Sequence, residues 1–583
     1  MMVDGSTVGG MDFIPPSIIR SSKTAYRIPN KPSHLSMTNR IRDSLVISVF
    51  CAFFFFYGLG PFGLIGADEP RYAQVAREML EHGDWITPRL GGKPWLEKPP
   101  LYYWQAMLAY TIFGVSDWAA RVPAAADATV IVLAAYIFLR RSCPGFELDG
   151  ALITASCAGI IGYARAASMD ITLASAFTLA MLAWWTWRDT GRRAYLAAFY
   201  ACLALGMLAK GPVAPFLAAA IIVLYSLAAR ELRLIVRTLW LPGFLLFSAT
   251  ALPWYVAVQA RNPQFFRIFI LEHNLARFST DIYHHTQPFW YYLPVTLLAL
   301  VPWTIFVVEA FTQSAQAWWS ASPWTGKIQG GSAPGAGYAL STFACCWLIV
   351  PVVFFSVSQS KLPGYILPAV PAGALLLVEY LRRHLSKSED PAAPRWLVVP
   401  HALVATIPIV PALLIAYLVT QHRLPGGRPL LIALGVAFLL FVGIVLTLFS
   451  RMGLRMLRFV TLIPVVLVVA AVLKIGSTAL DQTLSARPLA REISSWETHR
   501  LPLAVYAVSR ETEYGLTFYR NQQVIRYEWG QIPAEEHLLV TREDAQLEIA
   551  KKAAGRRISF LANFAPQHLD CYWVSAAATA SHH

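Results

Sequence analysis

The sequence predicts a polytopic α-helical membrane protein with a small α/β domain at its carboxyl end, on three observations. The 583 residues are 56% hydrophobic and only 14% charged, and the mean hydropathy is +0.48, so long apolar runs must meet lipid rather than a water-soluble core. Those runs recur at bilayer length along most of the chain. After about residue 476 the composition turns to mixed charged and polar sequence with short β-type runs.

The elements follow in chain order. Residues 1–43 are polar and carry Arg20, Lys23, Arg27, Lys31, Arg40 and Arg42. They read as a cytoplasmic tail, because the apolar run that follows is long and lacks a small-residue cleavage site. Thirteen spans are expected near 44–66, 119–139, 148–166, 171–187, 194–209, 212–229, 238–259, 290–311, 338–356, 364–381, 396–420, 430–450 and 459–475. The segment 101–116, LYYWQAMLAYTIFGVS, is read as an interfacial helix and not a span. With that choice Arg140/Arg141, Arg188/Arg192/Arg193, Arg230/Arg233/Arg237, Arg382/Arg383/Lys387 and Arg451/Arg455/Arg458 all fall on the side of the basic amino end. The amino end is therefore expected inside, and the first loop (67–118) and the carboxyl domain (476–583) outside. In that domain 503–509, 523–528, 537–541 and 558–564 read as strands, and 485–496, 511–519 and 543–554 as helices.

Several functions are disfavoured at once. The net charge of +14 follows from basic inner loops and does not call for nucleic acid. Of seven cysteines only Cys571 lies in the polar carboxyl region, so no disulfide framework is available there. There is no Walker A motif to support ATP-driven transport, and no pattern specifies an oligomer.

The expected outer face gathers four polar clusters. The first loop carries Asp68, Glu69, Arg71, Tyr72, Lys93, Glu97 and Lys98; YARAASMD carries Arg165 and Asp170; the loop before Trp290 carries His273, Arg277, His284 and His285; and SQSKLPGY carries Lys361 and Tyr365, with Lys210 joining from LAKGP. Each has an ordinary alternative. Asp68 followed by Glu69 and Pro70 suits a helix N-cap, single lysines at span ends snorkel to headgroups, and tyrosines form interfacial belts. Those alternatives leave the coincidence of acids, cations and tyrosines unexplained. Lys and Arg can hold a phosphate and stabilise charge as it leaves, carboxylates can orient sugar hydroxyls, and an apolar groove can hold a lipid tail. Together they suit a lipid-linked glycosyl donor.

At ADEPRYAQVAREML, GDWITPRLGGKPWLEKPPLYYW, AARVPAA, the MD at 169–170, LAKGP, HTQPFWYYLP and SQSKLPGYILPAVPA the chain resembles the bacterial 4-amino-4-deoxy-L-arabinose transferases of lipid A. These are GT-C glycosyltransferases related to protein O-mannosyltransferases, and the match runs from about residue 44 to 382. The resemblance implies a GT-C fold over 44–475 and an inner-membrane enzyme with a periplasmic active site. It implies transfer of the amino sugar from an undecaprenyl phosphate donor to a lipid A acceptor, with inversion, lowering the negative charge that attracts cationic peptides such as polymyxin. Asp68 would position or activate the acceptor phosphate, Asp170 and Glu69 would shape the sugar site, and Lys98 would bind the donor phosphate with Lys361, Tyr365, Tyr72 and Arg71, while Lys210 and Arg277 lie nearby. No cofactor is required. A divalent metal such as zinc on Glu97 and His285 is a lesser expectation, since no compact HxxxH or CxxC spacing occurs. Two competing readings remain: a GT-C transferase that moves mannose or another sugar from a polyprenyl phosphate to protein or a different glycan, and a lipid flippase or transporter, which a surface cluster rather than a midplane pathway disfavours.

Overall fold

The structure is a computed structural model that describes residues 37–276, 287–320, 338–387, 394–410, 413, 428–530, 532–553 and 555–577. The chain packs as two units, Met1–Ser44 and Leu45–His583, and the fold below is that of the second.

The first helix, α1 (Met37–Cys51), continues as a π turn over Ala52–Phe56. The first loop holds α2 (Asp68–Glu81), a two-stranded ribbon of β1 (Arg89–Leu90) and β2 (Lys93–Pro94), and α3 (Leu101–Phe113). Two acids and a proline open α2, as a helix N-terminus favours. Its apolar side, with Tyr72, Val75, Ala76 and Met79, packs on Tyr102, Tyr103, Ala106 and Met107 of α3. At 13 residues α3 is about 20 Å long, too short to span a bilayer. Tyr102, Tyr103 and Tyr110 are buried within this loop and form part of its core.

The membrane body follows: α4 (Asp117–Ser142), α5 (Glu147–Ser156), α6 (Ala158–Ala164), α7 (Met169–Thr190), α8 (Arg193–Lys210), α9 (Val213–Ala228), α10 (Arg233–Thr238) and α11 (Leu241–Arg261). After a π segment at Arg267–Ala276 come α12 (Tyr292–Ala299), α13 (Thr304–Ser320), α14 (Ala339–Val357), a 3₁₀ turn at Pro363–Ala369 leading into α15 (Val370–Lys387), α16 (Arg395–Thr406), α17 (Arg428–Phe449) and α18 (Gly453–Ala471). Among the described residues each expected span is at least partly helical, although the segment 44–66 leaves helix after Phe56 and most of 407–420 lies outside the described residues. Among the described residues seven helical stretches are long and apolar enough to cross a membrane, with a further pair, Phe289–Ala299 and Thr304–Ser320, bent by 115°. The rest depart for visible reasons. The segment 148–166 breaks at extended Cys157 into α5 and α6. Helix α7 carries Thr172, Ser175 and Thr178 because protein encloses it on nearly all sides. Helix α9 is shorter than a span.

Beyond α19 (Ser477–Leu484) and α20 (Arg487–Trp496), the carboxyl region forms β3 (Leu503–Tyr506), α21 (Arg510–Arg520), β4 (Val524–Arg526), β5 (His537–Arg542), α22 (Gln546–Lys552), β6 (Ile558–Phe564) and β7 (Leu569–Val574). The sheet order is β4-β3-β5-β7-β6, with β3 parallel to both neighbours and the β5-β7-β6 edge antiparallel. Strand β7 escaped the sequence reading. Five of its six residues are buried, so LDCYWV shows no alternation.

Candidate active site

Helix α2 presents Asp68 at its first residue. The residue in the N-cap position is Ala67, without a side-chain bond, so the N-cap alternative for Asp68 does not hold. Its carboxylate, about half exposed at 51%, instead pairs with Arg71 one turn on. That guanidinium is boxed by three rings, lying 5.1 Å from the centroid of Tyr72, 5.3 Å from Trp95 and 5.6 Å from Tyr514. Adjacent helical positions point about 100° apart, and Glu69 consequently enters the core. It is 6% exposed and accepts from Arg121 Nη2 at 2.6 Å and from the Ile65 amide at 3.3 Å. Arg121, fully buried, also donates to the carbonyls of Leu59, Phe62 and Gly63. The expectation that Glu69 shapes a sugar site is therefore corrected: its carboxylate is committed to a buried arginine that closes the chain reversal after the first helix.

The second half of the site comes from α6, α7, α8 and the 3₁₀ turn. Ser168 caps α7 and donates to Asp170 Oδ2 at 3.0 Å. The Lys210 ammonium, at the last residue of α8, pairs with Asp170 and sits 4.1 Å from the centre of the Tyr365 ring. Gly364 is needed here, since a Cβ on it would lie 2.7 Å from the Asp170 carboxyl and 2.8 Å from the Tyr163 ring. The turn is held from behind by Tyr292, whose hydroxyl accepts from the Leu362 amide at 3.0 Å and donates to the Leu362 carbonyl at 2.9 Å. Lys361 is buried and donates to the Ser358 carbonyl, and burial lowers its pKa. It is thus directed inward and does not snorkel.

Tyr72 and Tyr163 join the halves. Each lies within electrostatic reach of both Asp68 and Asp170, which brings Asp68, Arg71, Tyr72, Asp170, Lys210 and Tyr365 into one neighbourhood. Glu97 reaches Arg71 and Tyr103 electrostatically, and Lys98, half buried, follows it at the entrance to α3. Arg165, by contrast, donates to the carbonyls of Phe54 and Gly58 and serves as a tether. Three buried donors around Arg71 have no hydrogen-bond partner among the described residues: Arg71 Nε, Trp95 Nε1 and the Tyr103 hydroxyl. Buried donors are rarely left unpaired, and this trio suits the oxygens of an anion. Clefts of about 610 and 490 Å³ lie elsewhere, beside α13 and α16 and at the α9–α10 corner; the site is marked by its chemistry and not by cavity size.

Arg277 and His285 lie outside the described residues, and with them the expected Glu97/His285 metal pair. Within them Glu97 Oε1 stands 3.7 Å from His273 Nε2, and no group of three or more His, Cys, Asp or Glu side chains is arranged to hold a metal ion. Tyr163, Tyr103, Trp95 and Arg121 were not singled out in the sequence. The motifs YARAASMD, GDWITPRLGGKPWLEKPPLYYW and AARVPAA contain all four without marking any of them.

Residues 44–269 match the family model of dolichyl-phosphate-mannose-protein mannosyltransferases. An undecaprenyl phosphate-α-4-amino-4-deoxy-L-arabinose arabinosyl transferase of Pseudomonas savastanoi pv. phaseolicola is 30% identical over 409 residues, 69% of this chain and 72% of that protein. The chain belongs to this arabinosyl transferase family. A second member, from Pseudomonas aeruginosa, is 32% identical over 358 residues, covering 60% of this chain and 61% of its own length. The fold is also that of the crystal structure of ArnT from Cupriavidus metallidurans bound to undecaprenyl phosphate, with a TM-score of 0.69 at 21% identity over 94% of this chain and 99% of that one. As a member of the arabinosyl transferase family, the protein is a multi-pass glycosyltransferase of the GT-C class.

Proposed function

We propose that the protein transfers 4-amino-4-deoxy-L-arabinose from undecaprenyl phosphate to a phosphate of lipid A at the periplasmic face of the bacterial inner membrane. The observation that carries this reading is the set of unpaired donors, Arg71 Nε, Trp95 Nε1 and Tyr103 Oη, beside the Asp68/Arg71 pair. That set would receive the donor phosphate, while the Asp170–Lys210–Tyr365 group would receive the amino sugar. A carboxylate suits a 4-ammonium group, and the ring of Tyr365 suits a sugar face. Lys361 lies at the base of the same turn as a second cation. Arg277, outside the described residues, is proposed as a further cation of the site.

In the reaction an oxygen of the acceptor phosphate attacks the anomeric carbon, one C–O bond forms, and the C–O bond to undecaprenyl phosphate breaks with inversion. The leaving phosphate takes the bonding pair and is stabilised by Lys98 and Arg71. An acceptor phosphate is already anionic at neutral pH and needs no strong base, so Asp68 positions it rather than deprotonating it. A protein hydroxyl would need that base. The family-model match over 44–269 favours this second reading, protein glycosylation from a polyprenyl phosphate donor. Residues 1–43 are proposed as a cytoplasmic tail and 476–583 as a periplasmic domain.

Mass spectrometry of lipid A tests the proposal in a host that supplies the donor and lacks its own transferase. Wild type should add the aminoarabinose mass and Asp68→Ala, at equal abundance, should not. Glycosylated protein without modified lipid A would establish the second reading instead.

A further inference from the structure

The carboxyl domain meets the first loop through one of its helices. Helix α21 runs alongside α2 in the same direction: Tyr514 stacks on Arg71, the Phe518 carbonyl accepts from Arg77 at 3.3 Å, and the Asn521 amide donates to Glu81 at 3.2 Å. The α2 residues engaged, Arg71, Gln74, Arg77 and Glu81, recur every three or four positions and so form one stripe. Asp68 lies one turn further along that stripe, towards the start of α21. The register is anchored at the far end, where the Tyr519 hydroxyl accepts from the Leu64 amide at 2.6 Å.

Arg71 is therefore held by two walls from the first loop, Tyr72 and Trp95, and a third from a different domain. An arginine over aromatic faces gains cation–π attraction, more so when water is excluded, and the Arg71 side chain is only 13% exposed. Without the third ring the guanidinium has room to swing, and the Asp68 carboxylate it holds swings with it. Tyr514 is half buried at the surface of its own domain, so its ring is not needed for that domain's core, which is built from residues such as Leu503, Leu516 and Val540.

We infer that Tyr514 is a positioning residue of the transfer reaction, supplied by the carboxyl domain, which fixes Arg71 and through it Asp68. The inference rests on the functional reading above. Its consequence is that the carboxyl domain completes the site, and that the ring, not the hydroxyl, is what matters.

The test uses the full-length protein in nanodiscs, with a synthetic polyprenyl phosphate aminoarabinose donor and lipid A. Tyr514→Ala should lower kcat by about tenfold, the scale of a modestly misplaced group, with the melting temperature unchanged; Tyr514→Phe should restore most of the rate. On an Arg71→Met background, Tyr514→Ala should cost nothing further, because the two act as one unit. A Tyr514→Ala enzyme with wild-type kcat and KM, or a loss that adds in full to that of Arg71→Met, would overturn the inference. If Tyr514→Ala fails to fold, Tyr514→Leu fills the same space without a π face and must show the same kcat loss, or the inference fails. Asp68→Asn is run alongside: activity surviving that change sinks the functional reading, whereas a dead Asp68→Asn beside a fully active Tyr514→Ala sinks only the role of Tyr514.

Discussion

Two neighbouring acids meet opposite fates on one helix turn. Asp68 remains half exposed and paired with Arg71, while Glu69 is buried against Arg121. The Arg121 side chain serves Glu69 and three backbone carbonyls at once, so its removal strands one buried charge and several acceptors. Arg121→Leu is therefore expected to cost about 3–5 kcal/mol, the range for breaking a buried pair. Glu69→Gln, which keeps a carbonyl acceptor for Arg121, should cost clearly less. Melting temperatures of the two variants in detergent check the order, and equal losses would show that the carbonyl contacts carry little.

At the level of elements, the approach of the 3₁₀ turn at Pro363–Ala369 to the start of α7 depends on Gly364. Gly364→Ala should push the turn from Asp170 and lower transfer by about tenfold or more while leaving membrane insertion intact; a fully active alanine variant would mean that the turn yields without consequence. Strand β5 offers a pH dependence. His537 is fully buried, its Nε2 facing the Tyr527 hydroxyl and its Nδ1 2.8 Å from the Glu535 carbonyl. Burial lowers its pKa, with Arg556 adding to the effect and the Glu535 bond opposing it. The unfolded chain then binds the proton first, so this stabilisation is complete above the ordinary histidine value of about 6.5 and is lost as pH falls below it. Hydrogen exchange across β5, corrected for intrinsic rates, should show weaker protection at pH 5.5 than at pH 7.5, and His537→Gln should remove the difference. Equal protection of the wild type at both values would exclude a titrating His537.

For the molecule as a whole, Arg487 is the main fastener between the carboxyl domain and the first loop. It reaches Asp117 at 2.8 Å, Asp481 at 2.8 Å and the carbonyls of Gly60 and Pro61 at 3.0 and 2.9 Å. Gly63 admits this packing, since a Cβ there would collide with Ser485, Tyr519 and Arg487. Arg487→Ala leaves two carboxylates without their cation and is expected to cost about 3 kcal/mol. Limited proteolysis should cut first near residue 485 in that variant, and an unchanged pattern would show that the α2–α21 contact suffices to hold the domain.

The multi-pass helical body and four of the five strands of the carboxyl sheet were legible in the sequence. Each is recorded in a window of neighbouring residues, as an apolar run or an alternation. What was not legible depends on packing between distant parts. The burial of Tyr102 and Tyr103 beneath α2 left no local mark, β7 was missed because both of its faces are buried, and Glu69 was placed in the site because one-dimensional adjacency hides a turn of about 100°. The union of Asp170 with Lys210, and of Arg71 with Tyr514, joins side chains from separate helices. No local pattern encodes such a meeting, because it is fixed by how whole helices pack, and so sequence supplied the chemistry of the polar clusters while the folded chain selected which groups meet.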